Sequence, residues 1–148
     1  MRAGSSVGAW TAGALALLLL LGACGGNSDE SRIQGVVTDY LGAITQHDPA
    51  KFASHVSATC HLDTGQLQAA FASVQGQQIS IDVQKVDVSD LTDASATASV
   101  EGTATFQGRT VPLSVAGGQF QTFKVVKENG TWKIATCPDT SATAPPTG

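Results

Sequence analysis

Along this chain the spacing of apolar residues changes once, from helical to alternating, and the change divides the sequence into two halves. Ile33, Val36, Val37, Tyr40, Leu41 and Ile44 draw one stripe along an amphipathic helix. That helix ends near His47, where Asp48 offers an N-cap and Pro49 takes the first position of a new helical turn. A short second helix carries Phe52 and Val56. Asp63 supplies a further cap, Gln66 follows three residues on, and Leu62 can staple to Leu67. Leu67, Ala70, Phe71 and Val74 then form the inward stripe of a third helix, which Gly76 ends.

After Gly76 the period becomes two. Ile79, Ile81 and Val83 alternate, and the phase slips before Val86 and Val88, which predicts a β-bulge near Gln84-Lys85. Ala96, Ala98, Val100, Gly102, Ala104 and Phe106 form one face of a long strand, with Thr97, Ser99, Glu101, Thr103 and Thr105 on the other. Gln107-Gly108 reads as a turn, and Val111, Leu113 and Val115 as a further strand. Gly117-Gly118 breaks the chain before a strand from Phe120 to Lys127. Asn129-Gly130 then marks a hairpin into a last strand, Thr131 to Cys137. Helices followed by antiparallel strands predict an α+β domain over residues 31–138, its N-terminal helices packed on a curved antiparallel sheet.

The two ends of the chain follow other rules. Arg2, the apolar run Ala14 to Leu21 and the small residues before Cys24 have the layout of a secretory leader, too short to span a bilayer. Leu21-Gly22-Ala23-Cys24 resembles the lipobox of bacterial lipoproteins. The resemblance implies a signal peptide over 1–23, a lipid on the Cys24 thiol, and a protein held by that lipid on the extracytoplasmic face of the cell membrane. Residues 24–30 then form a lipidated polar tether, and 139–148, rich in Ser, Thr, Ala and Pro, a disordered tail.

Charge and cysteine content narrow the picture. The 148 residues carry 8 basic and 12 acidic side chains, for a net charge of −4. With no basic cluster, neither a nucleic-acid partner nor polybasic attachment to lipid is expected. Once Cys24 is assigned to lipid, Cys60 and Cys137 remain, and an oxidising compartment favours a disulfide between them over separate thiols or a metal site.

Two stretches carry a family resemblance. The first is Val36-Val37-Thr38-Asp39-Tyr40-Leu41-Gly42-Ala43-Ile44 with His47-Asp48-Pro49-Ala50-Lys51-Phe52. The second is Phe123-Lys124-Val125-Val126-Lys127-Glu128-Asn129-Gly130-Thr131-Trp132-Lys133-Ile134. Together they resemble the nuclear transport factor 2-like (SnoaL-like, cystatin-related) superfamily, in which helices cover the mouth of a cone-shaped sheet. The scaffold hosts enzymes, carriers and accessory domains, so the resemblance implies a fold and leaves the chemistry open.

Enzymatic members place acids, bases and a tyrosine inside the cone. Here Tyr40 lies on the inward stripe, but the strand face offers Ala96, Ala98, Gly102 and Ala104 where a general base would stand. His61 and Asp63 lack a third ligand, His47 and His55 flank the second helix, and no nucleophile elbow or phosphate loop occurs. No catalytic residue, metal site or cofactor is therefore expected. The small residues have two readings. They either let the helices approach and fill the core, or leave a cavity walled by Tyr40, Phe52, Phe71, Phe106, Leu113, Phe123 and Trp132. The sequence points to a non-enzymatic envelope binding or accessory module, with an envelope protein as its partner. A carrier of a small apolar molecule or lipid is the alternative, and an isomerase-like enzyme a third.

Overall fold

The computed structural model describes residues 28–117 and 120–138; Cys24, the leader and the C-terminal tail lie outside them. Three helices precede the sheet: α1 (Asp29–Thr45), α2 (Pro49–Ser54) and α3 (Thr64–Ser73), with a 3-10 turn at Ala58–Cys60. The strands are β1 (Ile79–Ser89), β2 (Ser95–Phe106), β3 (Arg109–Pro112), β4 (Thr122–Glu128) and β5 (Thr131–Ile134), with one helical turn, α4 (Leu113–Ala116), before β4. All strand pairs are antiparallel, in the order β1-β2-β4-β5, and β3 pairs with β2 beyond the end of β4. Among the described residues no helix is long and apolar enough to cross a membrane.

The local signals place most elements. Asp48 accepts from the backbone N–H of Lys51 at 2.9 Å and Asp63 from that of Gln66 at 2.8 Å, so both predicted caps are formed. The register of β1 against β2 shifts between Val83 and Lys85, where the apolar phase slips. Gly102 faces this bulge, and a Cβ there would lie 2.1 Å from the carbonyl oxygen of Asp82. Asn129 and Gly130 both adopt positive φ, 49° and 78°, as a tight hairpin turn requires.

Several features differ from the sequence reading: the second helix ends at Ser54, before Val56, and the strand expected from Phe120 begins at Thr122. Asp29 and Glu30, read as the end of the tether, form the first turn of α1 behind the cap residue Ser28. The strand expected through Val111, Leu113 and Val115 stops at Pro112. Leu113 is buried while Val115 is 72% exposed, a split that one strand face cannot give and a helical turn does. The last strand ends at Ile134, and residues 135–137 turn away to bring Cys137 to Cys60. In α3 only Leu67 is buried; Ala70 is exposed, Phe71 is half-buried, and Val74 is the C-cap.

The core lies between α1 and the sheet. Ile33, Val37, Tyr40, Leu41 and Ala43 of α1 meet Ala96, Ala98 and Val100 of β2, Phe123 and Val125 of β4, and Trp132 and Ile134 of β5. Ala98 pairs across the strands with Phe123, and Ala96 with Val125, so small residues of β2 stand beside large ones of β4. Groups from within the chain bond to both outer strands of the β1-β2-β4-β5 path. The Gln34 side chain donates to the carbonyl of Val86 at 3.1 Å, and Thr45 Oγ1 accepts from the N–H of Ile81 at 3.1 Å. Residues 55–57 lie along β5, where the Ile134 N–H donates to the His55 carbonyl and the Ser57 N–H to that of Ile134.

Candidate ligand-binding site

The core does not fill the whole space under the helices. A cavity of about 280 Å³ opens beyond the C-terminal half of α1, close to the lower end of the range for small-molecule sites, about 300 Å³. Tyr40 and Ile44 of α1 and Phe52 of α2 line it, with Leu67, Ala70, Phe71 and Val74 from α3 and its cap. Ile79, Phe106, Phe120 and Phe123 contribute from the sheet half, and Thr136, Cys137 and Pro138 complete the lining.

The aromatic rings form a continuous wall. The Tyr40 ring lies 4.5 Å from that of Phe52 and meets Phe123 edge-on at 5.6 Å, while Phe52 meets Phe71 edge-on at 5.4 Å. Two residues of the lining, Tyr40 and Thr136, carry hydroxyls. Thr136 Oγ1 is engaged, accepting from the backbone N–H of Lys124 at 2.7 Å. The Tyr40 hydroxyl has no hydrogen-bond partner among the described residues and is not sealed off as an orphaned buried atom. Burial pushes the Tyr40 phenol well above its ordinary pKa. At neutral pH it is a neutral group able to donate or accept one hydrogen bond. None of the described lining residues is acidic, basic or a histidine.

Of the seven residues predicted to wall a cavity, Tyr40, Phe52, Phe71, Phe106 and Phe123 do so, and Leu113 and Trp132 do not. Leu113 and Trp132 are each 1% exposed within packed core. The Trp132 indole Nε1 donates to Asp29 Oδ1 at 3.0 Å, and the Lys127 ammonium sits 5.2 Å from the Trp132 ring centre. At the small β2 residues it is the filled-core reading that holds; the cavity lies elsewhere. Ala96, Ala98 and Ala104 are buried without lining the cavity, which lies toward Phe106 instead. Phe106 itself is 37% exposed, at the rim.

The sequence reading missed Ile44, Leu67, Ala70, Val74, Ile79 and Phe120 as lining residues, together with the segment 136–138. The signal for the segment was the cysteine pair. A disulfide joins Cys60 to Cys137, with Cα atoms 5.2 Å apart and a sequence separation of 77, and it sets Cys137 into the cavity wall. Among the described residues no group of three or more His, Cys, Asp or Glu side chains is placed to hold a metal. His55 is held below the ordinary imidazole range, chiefly by burial, with the Lys133 and Lys51 charges adding to the effect and Asp39 opposing it.

No family model matches the sequence, and no curated protein matches it. Solved structures do share its shape. A Mycobacterium tuberculosis protein of unknown function superposes with a TM-score of 0.52 at 16% identity, over 70% of this chain and 66% of that one. A candidate aromatic ring hydroxylase from Novosphingobium aromaticivorans gives 0.51 at 14% identity, over 70% and 82%. A Nostoc punctiforme protein of unknown function, described as having a cystatin-like fold, gives 0.50 at 10% identity, over 70% and 83%. Helices followed by a curled antiparallel sheet, with such neighbours, give this chain the cystatin-like α+β fold implied by its sequence resemblance.

Proposed function

Within this cystatin-like frame, we propose that the protein is a tethered binding protein of the cell envelope. It holds a small, ring-containing apolar molecule that carries one hydrogen-bonding oxygen. The observation that carries this reading is the cavity of about 280 Å³, walled by Tyr40, Phe52, Phe71 and Phe123, with the unengaged Tyr40 hydroxyl. Apolar walls supply affinity, and one fixed polar group supplies orientation. The reading is of binding, not turnover, because proton transfer needs an acid or base within reach, and the described lining residues offer none but a phenol held protonated by burial.

The envelope part of the proposal rests on the leader and on Leu21-Gly22-Ala23-Cys24. A lipid on Cys24 fixes the protein to the outer face of the membrane, and each methylene buried there adds about 0.8 kcal/mol. With α1 starting at Asp29, few residues separate that lipid from the domain.

Fluorescence titration of the full chain with N-phenyl-1-naphthylamine tests the binding reading. Saturable 1:1 binding is expected, lost when Ala70→Trp fills the mouth. Absence of saturable binding, or binding undiminished by that substitution, overturns it. Mass spectrometry of protein extracted from its own envelope reports the lipid on Cys24 and any retained ligand. A Cys24→Ala protein that remained membrane-bound would remove the anchor.

A further inference from the structure

We propose that α3 is a hinged lid over the cavity, and that the Cys60–Cys137 disulfide at the root of this lid sets how readily it opens. The proposal rests on the binding reading above and adds how entry to that site is controlled. α3 supplies Leu67, Ala70, Phe71 and its cap Val74 to the wall, yet it is lightly seated. Leu67 is the one residue it buries, whereas α1 buries five against the sheet. A helix with few buried contacts opens locally before the rest of a domain does.

Both ends of α3 adjoin residues in the left-handed region. His61, before it, has φ +46°, and Gly76, after it, has φ +93°. A Cβ at Gly76 would meet nothing within 4 Å, so no neighbour packs against the chain on that side. A few end positions that absorb a change in φ and ψ are what a hinge requires.

Cys60 immediately precedes His61, and its disulfide partner Cys137 lines the same cavity, between Thr136 and Pro138. One covalent bond thus ties the base of the lid to the 136–138 segment of the cavity lining. Two hydrogen bonds hold that segment to β4. Ala135 N–H donates to the Lys124 carbonyl, and Lys124 N–H to Thr136 Oγ1, each at 2.7 Å. Cys137 is exposed and Cys60 half-buried.

The test compares oxidised full chain with the same protein reduced by a water-soluble phosphine, which becomes the phosphine oxide as two thiols form. Two readouts are taken: dissociation of N-phenyl-1-naphthylamine by stopped flow, and amide hydrogen exchange. Reduction is expected to speed probe release about tenfold and to raise exchange in α3 while β2 and β4 stay protected. Unchanged release and unchanged α3 exchange overturn the proposal. So does exchange that rises equally in α3, β2 and β4, since the disulfide is then a global staple. Leu67→Ala with the disulfide intact keeps the test decisive if the reduced protein unfolds. It is expected to raise exchange in α3 alone, and unchanged exchange there sinks the lid. If oxidised wild type binds no probe, the binding reading fails, while the exchange data still decide the lid.

Discussion

Asp29, the first residue of α1, accepts a hydrogen bond from the indole of Trp132 at 3.0 Å, and so ties the start of the domain to its last strand across 103 residues of sequence. Lys127 joins the same carboxylate at 3.1 Å and lies against the Trp132 ring. Trp132 is 1% exposed, so its N–H has little access to water as a replacement partner. Asp29→Ala is expected to lower the melting temperature more than Asp29→Asn, which keeps an acceptor oxygen. Thermal unfolding followed by circular dichroism checks the order.

The same cluster sets an acid limb. The Trp132 N–H and then Lys127 hold the Asp29 carboxyl below its ordinary value of 3.8. Its folded pKa is depressed, so its contribution to stability is complete above the unfolded value and is lost as pH falls through the folded one. Wild type should therefore lose stability faster than Asp29→Asn below about pH 4. Urea midpoints measured across that range decide it.

His55 gives a second window. Burial lowers its pKa from 6.5, so its contribution is complete above that value and declines as pH falls below it. His55→Gln should flatten the dependence of the urea midpoint on pH just below 6.5. An unaltered slope there would show that His55 is not its source.

Gly102 is required by a close approach. A Cβ at this position would meet the Asp82 carbonyl oxygen at 2.1 Å, where the β1 bulge presses on β2. Gly102→Ala should cost about 3 kcal/mol or shift the bulge register, since neighbouring backbone cannot yield as a flexible side chain can. Chemical denaturation gives the cost, and cross-strand nuclear Overhauser contacts give the register.

Tyr40→Phe separates polar recognition from packing. The hydroxyl has no described protein partner, so its removal should leave stability nearly unchanged. Affinity for 1-naphthol should fall about five- to tenfold, the worth of one hydrogen bond, while naphthalene should bind as before. Competition against N-phenyl-1-naphthylamine measures both.

What could be read from the sequence follows from how local each signal is. The Asp48 and Asp63 caps, the phase slip before Lys85 and the Asn129-Gly130 turn each sit within a few residues, and each appears in the fold. Leu113 and Val115 do not separate that way, because two apolar residues two apart fit a strand as well as a turn whose second member faces water. Alternation shows that Trp132 points inward, but not which part of the inner face α1 covers. The start of α1 was masked by the polar run Asn27-Ser28-Asp29-Glu30, which has no apolar period. The usable signal there was a serine cap followed by two acidic residues in the first helical turn.

The side-chain bonds from Gln34 and Thr45 to β1 bear on how this protein behaves in a crowd. An eleven-residue terminal strand with free backbone groups is a template on which another chain can grow a sheet. Here α1 occupies two of those groups, Val86 C=O and Ile81 N–H, and the bulge bends the strand between them. A second copy approaching along that edge would therefore meet a bent strand with two of its backbone groups already taken, which makes continuous strand pairing between copies harder.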